Sequence, residues 1–184
     1  MNKVLLYLSP GFEEIEAVTI IDLLRRADIE VTIAGLEEKS VRGSHGIIIN
    51  CDQYYENIDP TEYDYLVLPG GQPGTNNLKN NETVLKNVRH FAEQNKLIGA
   101  ICAAPAVLLQ AGIVKDIKIT SYPSEKHLFN PADYKESSVV IDNNIITSRG
   151  VGTAIEFTLD LIGLIKGEKV KDELANKIVW TKPR

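Results

Sequence analysis

The sequence predicts an α/β protein built on one open, mostly parallel sheet with helices on both faces. Three observations carry that expectation. Short β-branched and aromatic runs alternate with segments of helical periodicity along nearly the whole chain, the pattern of strand–helix–strand crossovers. Two of the runs, residues 65–68 and 97–101, are apolar almost throughout, as strands covered on both faces are. The chain has 184 residues, 43% of them hydrophobic and 24% charged, enough for one sizeable core and too apolar for disorder. A single domain over residues 1–184 is therefore expected.

The elements follow in order. Residues 3–8 read as a strand ended by the turn cluster Ser9-Pro10-Gly11, and residues 12–27 continue with helical periodicity. Residues 29–34 make the next strand, stopped at Gly35, and residues 41–50 read as a hairpin or edge excursion around Gly43 and Gly46. The strand at 65–68 ends in Pro69-Gly70-Gly71, and a helix over 82–95 leads to the strand at 97–101. Residues 105–110 read as a helix, with Pro105 admitted to its first turn and Gly112 placed to end it. A strand is expected over 117–121 and a polar connection over 133–138. Residues 139–141 and 145–148 then pair across Asp142-Asn143-Asn144 as a hairpin. An apolar helix over 153–165 has Gly167 beyond it, and residues 169–184 form a charged helix and tail carrying the only tryptophan, Trp180. Repeats, linkers and low-complexity tracts are absent from the sequence.

Charge and cysteine content remove several function classes. The net charge is −5, with 20 basic residues dispersed among 25 acidic ones, which argues against nucleic acid or an anionic membrane as a partner. No stretch reaches the roughly 18 apolar residues of a membrane span, and residues 5–8 are too short for the apolar core of a secretory signal. Two cysteines, Cys51 and Cys102, do not make a disulfide framework. A reducing cytoplasm is the expected compartment, in which a thiol can serve as a thiol.

Ligands of open parallel sheets lie beyond the carboxyl ends of the strands, so the chemistry is sought there. Cys102 follows an all-apolar strand, is succeeded by the small residues Ala103 and Ala104, and stands just before Pro105 and a helix. That layout matches a nucleophile elbow. Unpaired amides and the positive end of the helix are expected to favour its thiolate. Glu16 projects from the 12–27 helix between Ile20 and Leu23, on the apolar side away from Thr19, Asp22 and Arg26. It is thus a carboxyl aimed at the interior, while Glu13 in the first turn complements the helix dipole. If Glu16 meets Cys102, the two acids share one proton, either as carboxyl and thiolate or as carboxylate and thiol. Gly70 and Gly71 leave strand-end amides unobstructed, which with the amide of Ala103 make an oxyanion pocket. Residues 148–153 could hold an anion at the N-terminus of the helix that follows, but the phosphate-loop pattern is incomplete and a structural turn is the preferred reading.

At these residues the chain resembles the DJ-1/PfpI superfamily, and within it the small DJ-1-like branch. The likeness covers most of the chain and rests on the ordered stretches at residues 11–16, 24–27, 31–35, 68–71, 100–105 and 147–153. The resemblance implies a flavodoxin-like three-layer sandwich, usually a homodimer. It implies Cys102 as the reactive, easily oxidised cysteine, Glu16 as its carboxyl partner, Gly71 and Ala103 as oxyanion amides, and Arg26 near a dimer contact. It also implies cofactor-independent glyoxalase or deglycase chemistry on small carbonyls, peroxide sensing or chaperone action, and, in another branch, peptidase activity. No metal or organic cofactor is expected. The departures are specific. Ala103 follows the cysteine where hydrolytic relatives place histidine, Tyr122 stands before Pro123 where DJ-1-like members often have histidine, and His45 replaces a customary arginine. His90 falls on a polar helix face, where solvation is expected, and His127 lies five residues beyond Tyr122.

Overall fold

The structure, a computed structural model, describes residues 2–37, 39–131 and 133–181. In chain order its strands are β1 (Lys3–Leu8), β2 (Glu30–Gly35), β3 (Ser40–Arg42), β4 (Ile48–Asn50), β5 (Gln53–Tyr54), β6 (Tyr65–Leu68), β7 (Leu97–Ile101), β8 (Val139–Asp142) and β9 (Ile145–Ser148). The helices are α1 (Glu14–Arg26), α2 (Gly74–Lys79), α3 (Glu82–Glu93), α4 (Pro105–Ala111), α5 (Ala154–Lys166) and α6 (Glu168–Lys177). Among the described residues one sheet has seven strands in the order β5-β2-β1-β6-β7-β9-β8, parallel except for the β8–β9 pair. β3 and β4 form a separate antiparallel ribbon, the expected hairpin.

β1 shows why this is a sandwich. Residues 4–8 are all fully buried, yet they divide by parity. Val4, Leu6 and Leu8 join a core with Ile20 and Leu24 of α1 and Phe157 and Leu161 of α5. Leu5 and Tyr7 join a second core with Val88 and Phe91 of α3 and Val107 of α4. A strand whose side chains alternate between two apolar layers has no solvent face to be polar on. The Tyr7 hydroxyl accepts a 2.6 Å hydrogen bond from Asn87, so the one polar tip that β1 sends into the second core is satisfied.

Local chemistry sets the element ends. Asn81 caps α3 by accepting from the amide of Val84, and Gly112 closes α4 in the left-handed conformation at φ 81°. α1 begins at Glu14 rather than residue 12, because the amides of Phe12 and Glu13 are held by the carbonyls of Ser9 and Gly70. The strand expected over 117–121 is not part of the sheet. Among the described residues only an isolated bridge between Ile119 and Tyr134 forms there, because the amides of Lys118 and Thr120 are taken by the Asp142 carboxylate and the Thr147 hydroxyl. The short β5 and α2 lie in stretches too polar to show periodicity. The final helix ends at Lys177, and Trp180 folds back, half-buried, against the first core; residues 182–184 lie outside the described residues.

Phe157 is fully buried beneath β7, where even a Cβ on Gly99 would come within 3.0 Å of its ring. Phe157→Ala is expected to lower the free energy of unfolding by about 3–5 kcal/mol in denaturant titrations while leaving the circular dichroism of the folded state unchanged.

Candidate functional site

From β1 the chain moves outward in one direction to β2 and in the other to β6, so the carboxyl ends of β1 and β6 flank a topological switch point. α1 leaves β1 and carries Glu16, Gly70 and Gly71 follow β6, and Cys102 follows β7 on the next strand over. The sheet order alone therefore gathers the three strand ends.

Cys102 has φ 64°, a left-handed backbone unusual for a side chain with a Cβ, which costs about 1–3 kcal/mol unless its surroundings enforce it. They do. Its amide donates to the Ser148 carbonyl at 3.0 Å, and its carbonyl accepts from the Tyr122 amide at 2.7 Å. The turn thus stands between the end of β9 and the segment after α4, with its side chain half-buried. On the opposite side, a Cβ at position 70 would lie 2.6 Å from the Cys102 Cβ and 2.9 Å from Glu16 Oε2. Glycine at 70 is what lets the three groups meet. Gly71, at φ 97°, passes as closely to the backbone of Gly11 and Glu13.

Glu16 is fully buried. The Gly70 amide donates to Oε2 at 2.9 Å, while Oε1 is buried without a conventional hydrogen-bond partner. Burial is the main cause that pushes this carboxyl up to about 7. The Gly70 amide and the Cys102 thiol oppose that rise, and the charge of Glu13 adds to it. The thiol of Cys102 is pushed up as well, first by burial and then by the Glu16 carboxyl, against the pull of the Ala103 and Gly71 amides. This corrects the expectation that the helix end would favour the thiolate: the amides do aim at the sulfur, but burial and a neighbouring acid outweigh them. The carboxyl raises the thiol while the thiol lowers the carboxyl, as in a pair where the sulfur keeps its proton and donates it to the carboxylate.

A cavity of about 580 Å³ opens onto this pair, with Gly71, Ala103, Tyr122 and Arg149 in its walls. Of the residues singled out in the sequence, the fold brings together Cys102, Glu16, Gly70, Gly71, Ala103 and Tyr122. The Tyr122 ring is half-exposed and packs beside Gly150, where a Cβ would be 3.4 Å away. Arg26 is elsewhere. It pairs with Asp22 at 2.6 Å and lines a groove with Ile155 and Trp180. His45 stays in the β3–β4 loop, its Nδ1 3.1 Å from Glu14 Oε2, so the ring engages a carboxylate outside the cavity. His127 contacts the Ser124 carbonyl at 2.7 Å and is not a cavity wall. His90 is half-buried rather than solvated, its ring edge-on to Phe91 and its Nε2 without a partner. Cys51 is buried, its thiol pushed up to about 11 by burial and Asp52.

Two contributions were ranked in the sequence as structural first. Glu13 is a helix-start acid and also a cavity wall. Residues 149–153 make the expected turn, with the Thr153 hydroxyl bonded to Gly150, and also line the cavity. Their position directly after β9 was the available signal.

Comparison with known proteins gives a consistent picture. Residues 2–164 match the DJ-1/PfpI family. The chain is 40% identical to DJ-1alpha of Drosophila melanogaster, over 98% of this chain and 85% of that one. It is 30% identical to a deglycase of Pyrococcus abyssi, over 89% and 99% respectively. Oxidized DJ-1 of Toxoplasma gondii has the same fold, with a TM-score of 0.95 and 34% identity over 99% of this chain and 100% of that one. The flavodoxin-like architecture inferred from the resemblance is thereby established.

The raised Glu16 carboxyl has a consequence for stability. The unfolded carboxyl ionises near its ordinary 4.5 and the folded one near 7, so between those values the unfolded chain holds fewer protons. The stability this group contributes is full below pH 4.5 and is lost as pH rises to about 7. Glu16→Gln keeps an acceptor for the Gly70 amide and carries no charge. Its unfolding free energy is expected to exceed that of the wild type by up to about 3 kcal/mol above pH 8 and to show no gain in acid. A difference that does not vary with pH in urea titrations would remove the buried-acid account.

Proposed function

The chain belongs to the DJ-1/PfpI family, and from that premise we propose that it performs cofactor-independent glyoxalase or deglycase chemistry on small reactive carbonyls. The observation that best supports this reading is the convergence of a half-buried thiol, a buried carboxyl tuned close to neutrality and two backbone amides on one cavity. A relative that this chain covers almost completely is named a deglycase. A carboxyl near 7 is matched to moving protons at neutral pH.

In this reading Cys102 Sγ attacks the aldehyde carbon of a 2-oxoaldehyde such as methylglyoxal. The S–C bond forms, the thiol proton passes to Glu16, and the carbonyl π-electrons become an oxyanion that the Gly71 and Ala103 amides stabilise. The oxyanion takes a proton to give a hemithioacetal. Glu16, as carboxylate, then removes hydrogen from the former aldehyde carbon and delivers it to the adjacent carbon. The first carbon is oxidised to a thioester and the second reduced to an alcohol, so no external electron acceptor is used. Water cleaves the thioester, releasing lactate and the thiol. With Ala103 and Tyr122 where relatives place histidine, Glu16 carries the proton transfers. Tyr122 serves as a wall, and its hydroxyl is free to meet the substrate.

A second reading is favoured by the same sulfur. Peroxide transfers one oxygen to Cys102, leaving a sulfenic acid and water, and a second equivalent gives the sulfinate. A protonated Glu16 donates a charge-assisted hydrogen bond to that anion. The chain then acts as a redox sensor or chaperone in the cytoplasm. Peptidase or amidase activity ranks last, because no imidazole lines the cavity. We further propose a homodimer, supported by the half-exposed apolar side chains Ile15 and Val18 on α1 and Ile47 and Ile48 on the ribbon. Nucleic acid and membrane are not partners in this reading.

Lactate formation from methylglyoxal is expected in the wild type, abolished in Cys102→Ala and reduced about 10²–10⁴-fold in Glu16→Gln; equal rates in all three would remove the enzymatic reading. After mild peroxide treatment, mass spectrometry is expected to find two added oxygen atoms on Cys102 and none on Cys51. Preferential oxidation of Cys51 would overturn the sensor reading.

A further inference from the structure

We propose that Glu13, Glu14 and His45 form a binding site for a divalent transition-metal cation with zinc-like preference for mixed nitrogen and oxygen donors. The sequence shows no metal motif, because the three ligands come from two segments about 30 residues apart. The fold joins them. One donor atom from each side chain lies within 4.8 Å of the others. His45 Nδ1 is 3.1 Å from Glu14 Oε2 and 3.6 Å from Glu13 Oε2. Donors on a tetrahedral zinc ion, at about 2.0–2.1 Å from the metal, stand about 3.4 Å apart. The two separations from His45 bracket that value.

The proton inventory of the cluster points the same way. The Ser44 hydroxyl lies 3.4 Å from Glu13 Oε2, 3.1 Å from Glu14 Oε2 and 3.0 Å from His45 Nδ1. With the two His45 contacts this makes five close approaches among four polar atoms. Those atoms carry at most two hydrogens between them, one on the hydroxyl and one on Nδ1. Each of those hydrogens faces more than one acceptor, so the cluster presents more lone pairs than it has protons to share among them.

The cluster is also held in place before any ion arrives. Glu14 is buried at 3% exposure, and its second oxygen, Oε1, accepts from the amides of His45 at 2.6 Å and Ile47 at 3.3 Å. That leaves Oε2 to face His45 and Ser44. Gly43 makes room for this carboxylate, because a Cβ there would overlap it. The Ser44 amide donates to the Phe12 carbonyl at 2.9 Å, pinning the β3–β4 loop to the start of α1. With a neutral imidazole the set carries two negative charges, which a divalent ion cancels. Three protein ligands leave a further position for water or a ligand atom. Because Glu13 is a cavity wall as well, the bound ion sits at the rim of the Cys102 cavity. The site stands apart from the carbonyl reaction and does not depend on it.

The test is calorimetric titration of the full chain with Zn²⁺, in a Cys102→Ser parent so that the cavity thiol does not compete. One-to-one saturable binding is expected, weakened about tenfold or more in His45→Ala and in Glu13→Gln, both at positions where substitution spares the core. In parallel, the His45 ring resonances are expected to shift on Zn²⁺ addition while those of His90 and His127 stay in place. Absence of saturable binding, affinity unchanged in both variants, or an unmoved His45 ring would each overturn the proposal.

Discussion

The constraint on which the site depends is the approach of the Gly70 backbone to Cys102 and Glu16. A Cβ at position 70 would stand 2.6 Å from one side chain and 2.9 Å from the other, distances at which real atoms do not coexist. The sheet has to bring β6 and β7 into parallel register, Leu68 beside Ala100, for the two turns to land together. α1 has to start at Glu14, not earlier, for residue 16 to face inward over them. The strained backbone of Cys102 is held by Ser148 from one side and Tyr122 from the other, so β9 and the segment after α4 belong to the same constraint. Almost every element that bounds the cavity is needed to keep one glycine, one thiol and one carboxyl in contact.

That contact is not a stabilising one. A fully buried carboxyl with one oxygen lacking a conventional partner, beside a half-buried thiol, raises the energy of the charged form of both groups. Two packed apolar layers surround it, with β1 buried completely on both sides. Strain and an uncompensated polar atom persist only in a framework that over-determines their positions. Glu14 is the contrasting case two residues away. Burial acts on it as well, but its own amide, the ring and amide of His45 and the hydroxyl of Ser44 overcome that, holding it at about 2. The same helix start therefore presents one carboxyl that stays ionised and one poised near neutrality. The difference is the number of donors each one meets.

Much of this was legible in the sequence because it follows from short-range rules. Uninterrupted apolar runs marked the buried strands, helical periodicity placed Glu16 on the inner face of α1, and a cysteine between a strand and small residues marked the turn. What the sequence concealed depends on partners far along the chain. The stretch at 117–121 has strand composition, but its amides find the side chains of Asp142 and Thr147 instead of a neighbouring strand, and no local rule reports that. Likewise the thiol's position in the elbow was readable, whereas the weight of burial against the helix-end amides was not, since burial is a property of the finished core. Glu13 looked like an ordinary dipole-complementing acid until the fold placed it against both the cavity and His45.

The β3–β4 ribbon completes the argument, because it is the part of the fold least required by the sheet. It pairs with no strand of the main sheet. Its loop is nonetheless fastened to the start of α1 through Ser44, His45 and Ile47, at the turn of chain that also carries Glu16. Ribbon position and site geometry are thus linked through a single helix end. A change in how the loop grips Glu14 is transmitted to Glu16 by less than one turn of helix, about 3 Å along its axis. A chain with this construction can alter the surroundings of Glu16 by substitutions in an exposed loop that does not itself line the cavity. His45, whose ring and amide both meet Glu14, stands at a position of that kind.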